Sequence, residues 1–213
     1  MSKFLEALRR ERVVVVIRGA TPETLAQELR ALYEGGLRIF EVTMEAEGAL
    51  SALQSVRASL PSDALLGTGT VLDAPGAALA IDAGARFIVS PILREDVCSV
   101  ARVRGVPCVL GAMTPTEIFR AHRIGCEVVK LFPASTLGPG FLHELQGPLG
   151  FIPLYPTGGI TLENAGAFLD AGAIAVGVGS ALMKKDWVQS GNWEALRQAA
   201  AHWANLKSAS YNS

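Results

Sequence analysis

The sequence predicts a single α/β domain, residues 1–213, folded as a closed parallel (β/α)₈ barrel of the TIM type. Two observations predict this class. Eight short apolar segments alternate with helical segments, and a repeated pattern places a Gly between a helix and the strand that follows it. The strand segments are too uniformly apolar to leave one face in water, which favours a closed barrel. An open, doubly wound α/β sheet is the alternative architecture.

The composition excludes several classes of partner. Half of the residues are hydrophobic, 18% are charged and 22 are Gly, which is typical of a compact α/β domain. The 19 Lys and Arg residues nearly cancel the 20 Asp and Glu residues, so no strong net field attracts nucleic acid or an anionic membrane. A small-molecule ligand is therefore predicted.

The N-terminus and the cysteines bear on location. Residues 1–10 are amphipathic and predict a helix packed on the barrel, and the apolar run 13–17 is too short to span a bilayer. Cys98, Cys108 and Cys126 show no metal-ligand spacing such as Cys-x-x-Cys. Their odd number and apolar surroundings predict a reducing, cytoplasmic compartment. Neither a metal nor a cofactor is predicted.

The repeat from helix to strand is clear five times along the chain. In each copy the helical segment ends at Gly, which accepts a positive φ at a helix C-terminus without a Cβ clash. These glycines are the pair Gly35-Gly36, then Gly84, Gly105, Gly125 and Gly172. The eight apolar runs predict strands at Val13–Arg18, Ile39–Thr43, Ala64–Thr70, Phe87–Ser90, Pro107–Gly111, Val128–Phe132, Ile152–Thr157 and Ile174–Gly179.

Helix-start signals lie between these strands. Each combines an N-cap residue with a Pro, acidic or amide residue in the first turn. They are Thr21-Pro22-Glu23, Asp73-Ala74-Pro75, Thr114-Pro115-Thr116-Glu117 and Thr161-Leu162-Glu163-Asn164. Near the C-terminus, the spacing of apolar residues in 192–207 predicts a helix packed on the barrel wall. That face contains Trp193, Leu196, Ala200, Trp203 and Leu206.

Candidate functional residues are the few polar ones at the C-terminal ends of the strands, where parallel barrels carry their chemistry. They are Arg18, Glu41, Thr43, Thr70, Ser90, Lys130, Thr157 and Ser180. Side chains alternate across a strand, and the apolar Phe40 and Val42 suit the side that faces the helices. We therefore expect Glu41 to face the barrel interior. The same parity directs Arg18, Thr70, Lys130 and Thr157 inward.

A lysine and a glutamate in one interior admit two interpretations. Desolvation of a buried ammonium costs on the order of several kcal/mol and favours the neutral amine, which forms a Schiff base with a ketone. In the alternative, Lys130 and Glu41 form an ion pair that joins two strands and has no chemical role. On these residues alone the two interpretations have equal support.

Gly-rich turns follow the last two predicted strands, at Gly158-Gly159 and Gly177-Val178-Gly179-Ser180. Backbone N–H groups and the N-termini of the helices that we expect to follow both turns favour an anion such as phosphate. Glycines needed for turn geometry alone are the alternative. Two such turns at the expected loops favour anion binding.

The order and spacing of several motifs add a family resemblance that runs nearly end to end. The motifs are Val15-Val16-Ile17-Arg18, Glu41-Val42-Thr43, Gly67-Thr68-Gly69-Thr70-Val71, Ser90-Pro91, Val129-Lys130-Leu131-Phe132-Pro133-Ala134 and Pro156-Thr157-Gly158-Gly159-Ile160. This set resembles the bacterial aldolases of 2-keto-3-deoxy-6-phosphogluconate (KDPG) and 4-hydroxy-2-oxoglutarate (KHG).

The resemblance implies a class I aldolase, a carbon–carbon lyase that acts without a metal and assembles as a homotrimer. Lys130 would be the Schiff-base lysine, and Glu41 the general acid/base acting through a bound water. Thr70, Pro91, Phe132 and Thr157 would form the walls of the keto-acid pocket. The remaining candidate substrate contacts are Arg18, Thr43, Gly158, Gly159, Gly179 and Ser180.

One position departs from the family pattern. Members commonly read Glu-Val-Thr-Leu-Arg-Thr where this chain reads Glu41-Val42-Thr43-Met44-Glu45-Ala46. The family arginine is associated with holding a substrate anion, and a glutamate in its place would repel one. Arg18 is then the cation expected to bind the carboxylate or the phosphate.

The predicted reaction is cleavage of KDPG to pyruvate and glyceraldehyde 3-phosphate, of KHG to pyruvate and glyoxylate, or of both. A phosphosugar isomerase or epimerase on the same scaffold would use Glu41 as a base and Lys130 as an electrostatic clamp. A non-catalytic barrel would only bind a ligand. The aldolase alone requires a covalent adduct on Lys130.

Overall fold

Eight parallel strands form a barrel in a computed structural model, which describes residues 2–207. The strand ladders run in the order β7-β6-β5-β4-β3-β2-β1-β8, and a parallel bridge between Thr157 and Gly177 joins the two ends. The strands are β1 (Val13–Ile17), β2 (Ile39–Thr43), β3 (Leu65–Gly69), β4 (Ile88–Ser90), β5 (Cys108–Ala112), β6 (Val128–Leu131), β7 (Leu154–Pro156) and β8 (Val176–Val178). The predicted class is confirmed, and each predicted strand end lies within two residues of the observed one.

The helices alternate with the strands as the repeat predicts. They are α1 (Lys3–Glu11), α2 (Leu25–Glu34), α3 (Ala49–Val56), α4 (Ala74–Asp82), α5 (Glu95–Val103), α6 (Pro115–Arg123), α7 (Ala134–Leu149), α8 (Leu162–Asp170), α9 (Lys185–Ser190) and α10 (Trp193–Ala204), with a 3₁₀ turn at Asn205–Lys207. Helix α7 is kinked at Gly138, which has a φ of +73°. No helix within the described residues is long and apolar enough to cross a bilayer.

Three of the four predicted helix-start signals cap a helix, at Asp73 for α4, Thr114 for α6 and Thr161 for α8. The Asp73 carboxylate accepts a hydrogen bond from the Gly76 amide (2.7 Å), and Glu117 accepts one from the Thr114 amide (2.9 Å). The start of α2 is the exception, because the sequence signal at residues 21–23 precedes the helix. There the Leu25 amide donates to the Thr21 carbonyl (3.0 Å), so a turn comes before the helix.

Glycines end five of the helices in the predicted way. The residues Gly36, Gly84, Gly105, Gly125 and Gly172 have φ values between +66° and +112°. A side chain would be strained in this left-handed region, whereas Gly adopts it without a Cβ clash. Each Gly therefore lets the chain turn sharply from a helix into the next strand.

The interior of the barrel is apolar at the N-terminal ends of its strands. Val14, Ile39 and Val128 meet there with Phe4 and Leu8 of α1, and all five side chains are buried. The Phe4 ring lies 5.1 Å from the Phe87 ring, centroid to centroid. Helix α1 was predicted to pack on the barrel. Its apolar side chains also fill the interior at this end and close it.

Helix α10 packs on the outside, as its apolar face predicts. Leu196, Ala200 and Trp203 are buried there. A Cβ on Gly35 would lie 2.5 Å from the Ala200 Cβ, so the absence of a side chain at Gly35 lets α10 approach the end of α2. The outer core lies between the strands and the surrounding helices.

Candidate active site

A buried polar cluster lies in the barrel interior at the C-terminal ends of the strands. The Lys130 Nζ donates to Glu41 Oε1 (3.2 Å), and the Tyr155 hydroxyl donates to Glu41 Oε2 (2.8 Å). Glu41 is 0% exposed and Lys130 is 4% exposed. An amine thus lies next to a carboxylate that can exchange protons, in a site largely removed from water.

Strand register explains why these residues meet. Lys130 on β6 is paired with Tyr155 on β7, and Glu41 projects inward from β2. The neighbouring β3 makes room for the carboxylate, since a Cβ on Gly69 would lie only 2.0 Å from Glu41 Oε1. The inward placement of Lys130 and Glu41 agrees with the predicted parity. Tyr155 and Gly69 were not predicted as site residues.

The environment of Tyr155 keeps its hydroxyl protonated. Burial raises the pKa of Tyr155 well above its ordinary value, and the negative charge of Glu41 raises it further. Tyr155 is therefore a hydrogen-bond donor at neutral pH. It orients Glu41 by holding one carboxylate oxygen, while the other oxygen faces Lys130.

Thr157 and Phe132 lie beside this cluster. Thr157 is 4% exposed, and its Oγ1 atom is buried without a hydrogen-bond partner in the described part of the chain. The Phe132 ring centroid lies 5.5 Å from Lys130 Nζ, and a Cβ on Gly158 would lie 3.2 Å from this ring. Phe132 therefore places an apolar ring next to the Lys130 amine, and Thr157 offers a hydroxyl that is available to a ligand.

Thr43, Thr70 and Pro91 were also predicted to contact the substrate, and each lies in a different local environment. Thr43 is buried, and its hydroxyl donates to the Ile17 carbonyl (3.4 Å), which links β1 and β2. Thr70 follows β3 with a φ of +57°, so it leaves the strand and does not continue its alternation. Pro91 is half-buried, and its carbonyl lies where a Cβ on Gly111 would clash at 2.0 Å.

Glu45, which departs from the family pattern, pairs with Arg18, the residue predicted to bind the substrate anion. Arg18 Nη1 donates to both Glu45 oxygens, at 2.9 and 3.1 Å, and the Thr70 hydroxyl donates to Glu45 Oε1 (3.1 Å). The side chains of Arg18 and Glu45 are 52% and 47% exposed. The carboxylate therefore holds Arg18 at the rim of the barrel in this structure.

A cavity of about 360 Å³ adjoins this rim, and a second positively charged side chain, that of Lys185, lines it. Its lining includes Arg18, Ser180 and Lys185, a residue that the sequence analysis missed. A helix was expected to start directly after β8, but a turn comes first. The Met183 amide donates to the Gly179 carbonyl (2.8 Å) in this turn, and α9 begins only at Lys185. The loop after β7 has the expected glycines, with φ values of +95° at Gly158 and +73° at Gly159.

Comparison with known proteins agrees with this arrangement. A family model for KDPG and KHG aldolase matches residues 5–199. A 2-dehydro-3-deoxy-phosphogluconate aldolase of Treponema pallidum (strain Nichols) is 39% identical over 170 residues, which cover 79% of this chain and 80% of the relative.

Solved structures share the fold over most of the chain. A KDPG aldolase from Legionella pneumophila, with pyruvate captured at low pH as a covalent carbinolamine, matches with a TM-score of 0.88 at 25% identity, covering 94% of this chain and 97% of that one. A cube-shaped protein cage designed by fusing symmetric oligomeric domains matches with a TM-score of 0.83 at 27% identity, covering 91% and 71%. The chain belongs to the KDPG and KHG aldolase family.

Proposed function

We propose that this protein is a class I aldolase that cleaves KDPG to pyruvate and glyceraldehyde 3-phosphate, KHG to pyruvate and glyoxylate, or both. The observation that carries the proposal is the buried contact between Lys130 and Glu41, 3.2 Å apart at the catalytic end of the barrel. Membership of the aldolase family favours a catalytic role for Lys130 and Glu41 over an ion pair that only joins two strands. The isomerase and binding-barrel alternatives gain no support from the relatives above.

In the proposed mechanism, Lys130 passes a proton to Glu41, and its amine then attacks the C2 carbonyl of the keto acid. Glu41 transfers the protons that allow the carbinolamine to lose water and form an iminium ion. The iminium withdraws electrons as the C3–C4 bond breaks, and the proton of the C4 hydroxyl passes to Glu41 through a water. Protonation of the resulting enamine at C3 and hydrolysis then release pyruvate and restore Lys130.

Neighbouring side chains support this chemistry. Tyr155 positions Glu41 through its hydrogen bond (2.8 Å), and the unpartnered hydroxyl of Thr157 is suited to a substrate oxygen. Phe132 offers an apolar wall next to the amine. Thr70 and Pro91 are proposed as further parts of the pocket wall. Thr43 is proposed to act through the backbone of β1 rather than by direct contact.

The rim of the barrel is proposed to hold the distal anion of the substrate. Arg18, Ser180 and Lys185 line one cavity. The Gly158-Gly159 and Gly179 turns are proposed to add backbone N–H groups to the anion site. Two cations around an open cavity favour a phosphorylated substrate. The pairing of Arg18 with Glu45 leaves Lys185 as the more accessible of the two charges.

We further propose a homotrimer in the cytoplasm. Large apolar side chains are exposed on consecutive units of the barrel, among them Leu79 (55%), Ile92 (49%) and Phe119 (45%). Such a surface is suited to burial between subunits. The three cysteines are unpaired and buried, which fits a reducing compartment. Native mass spectrometry should give the mass of three chains.

A cleavage assay tests the proposed reaction and its substrate together. Pyruvate release is measured from KDPG and from KHG, with and without inorganic phosphate. If the rim binds the substrate phosphate, added phosphate should compete against KDPG and leave KHG cleavage unaffected. No pyruvate from either compound with a folded enzyme would refute the activity, and equal inhibition of both reactions would refute the phosphate site.

A further inference from the structure

Three cysteines that lie far apart in the sequence meet at the N-terminal end of the barrel. Cys98 lies on α5, Cys108 begins β5 and Cys126 precedes β6. Their Sγ atoms all lie within 4.8 Å of one another. Among the residues that the structure describes, these form the one group of three or more His, Cys, Asp or Glu side chains compact enough for a single metal ion.

The spacing of the sulfur atoms is close to that of a thiolate metal site. A tetrahedral zinc ion with Zn–S bonds of about 2.3 Å separates its sulfur ligands by about 3.8 Å. Sulfur atoms within 4.8 Å of one another need to shift by less than about 1 Å to reach that separation. Side-chain rotations in a cluster of this kind can supply such a shift.

The three thiols are available to a metal ion. None of Cys98, Cys108 and Cys126 forms a disulfide. Because the thiolate is the form that binds a metal, binding would displace the protons of these thiols.

The cluster has a route to solvent. A cavity of about 330 Å³ is lined by Cys98 and Cys108 together with Arg102, Pro107 and Glu127. A metal ion can enter through this cavity, where water can complete the coordination. Arg102 balances part of the negative charge that three thiolates and one divalent ion would leave.

We propose that Cys98, Cys108 and Cys126 bind one thiophilic d¹⁰ cation such as Zn²⁺ at the end of the barrel opposite Lys130. Thiolate ligands select this class of metal over the hard cations Mg²⁺ and Ca²⁺. The site lies at the ends of β5 and β6 that are remote from the proposed chemistry. Its role is therefore structural, joining α5 to two neighbouring strands.

Titration of the reduced, metal-free protein with Cd²⁺ tests this site. We expect one ion per chain, a thiolate-to-metal charge-transfer absorption, and a higher midpoint of thermal unfolding, because the ion binds the folded state. Single replacements Cys98→Ala, Cys108→Ala and Cys126→Ala should each weaken binding by on the order of 100-fold or more, since even outer-shell groups contribute about 10- to 100-fold.

The chain offers clear controls. It contains three cysteines, so any thiolate signal reports on this cluster alone, and His202→Ala removes a potential surface ligand without touching it. Circular dichroism checks that each variant is folded, and Cys→Ser at the same positions preserves side-chain volume if an Ala variant unfolds. A folded wild type without the charge-transfer band, or Cd²⁺ affinity unchanged in the folded cysteine variants, would overturn the proposal.

Discussion

The two ends of the barrel interior are built from the same strands but contain opposite kinds of side chain. At the N-terminal end Val128 and Ile39 pack with Phe4 of α1. Two residues further along the same strands are Lys130 and Glu41. A single step of strand alternation thus separates an apolar plug from a charged, hydrogen-bonded site.

The polar end is expected to supply the chemistry, and the apolar end is expected to supply most of the stability. A buried ion pair contributes little net stability because desolvation opposes the attraction of its charges. Apolar burial at the opposite end stabilises the fold in proportion to the area removed from water. Substitutions at the polar end should therefore change turnover, and substitutions at the apolar end should change the free energy of unfolding.

The largest expected effect is on turnover at the polar end. Glu41→Gln keeps the shape of the side chain but removes its ability to accept a proton, so kcat should fall by about 10²- to 10⁴-fold. Steady-state cleavage assays measure this. The matched control is Glu28→Gln, which alters another buried glutamate (2% exposed) on α2 and should leave kcat unchanged. Equal losses in the two variants would remove Glu41 from the mechanism.

The second prediction concerns the apolar end. Phe4→Ala removes a buried ring and should lower the free energy of unfolding by about 3–5 kcal/mol, as measured by chemical denaturation. The folded variant should keep the wild-type kcat because Phe4 contacts only the closed end. Phe151→Ala is the control, since this ring is 61% exposed and its loss should have a much smaller effect. A large drop in kcat for folded Phe4→Ala would contradict the separation of the two ends.

Tyr155→Phe should have a smaller effect on catalysis than loss of Glu41. The hydrogen bond to the carboxylate is worth about 1.5–3 kcal/mol, so kcat should fall by about 10- to 100-fold while KM changes little. This split distinguishes positioning of Glu41 from a general loss of substrate binding. Tyr33→Phe removes a similar hydroxyl–carboxylate contact to Asp63 (2.9 Å) on the protein surface and should be neutral. A rise in KM with unchanged kcat would assign Tyr155 to substrate binding instead.

The smallest expected effect lies at the solvent-exposed rim. Glu45→Gln removes a negative charge and releases Arg18, so KM for an anionic substrate should fall by up to about 5-fold, the range of exposed ion pairs. Added salt should reduce the difference because exposed charges are screened. Glu47→Gln changes the same charge on an exposed neighbour and provides the control. A higher KM in Glu45→Gln alone would show that the Arg18–Glu45 pair itself positions substrate.

The sequence predicted the barrel and the inward-facing pair because both follow from periodicity. Alternation along β2 and β6 is sufficient to place Glu41 and Lys130 on the interior face. Tyr155 was missed because an aromatic residue inside an apolar strand is typical of a core. It has the same parity as Thr157, which was the available signal. Gly69 was missed because its role depends on its distance from Glu41, which no local pattern contains.

The contact among the three cysteines could not be predicted from the sequence. The cysteines are separated by 10 and 18 positions and match no metal-binding motif, yet packing of α5 against the starts of β5 and β6 brings them together. The departure at Glu45 was visible in the sequence. Its pairing with Arg18 and Thr70 depends on loop conformation, including the positive φ of Thr70.

Covalent trapping tests the central claim about the polar end most directly. The protein is incubated with saturating pyruvate and borohydride, digested, and mapped by mass spectrometry. We expect one reduced pyruvyl adduct per chain, on the peptide that contains Lys130. Lys185 lies near the rim cavity and serves as the internal control for nonspecific reaction. An unmodified Lys130, or an adduct found on Lys185 instead, would contradict the account.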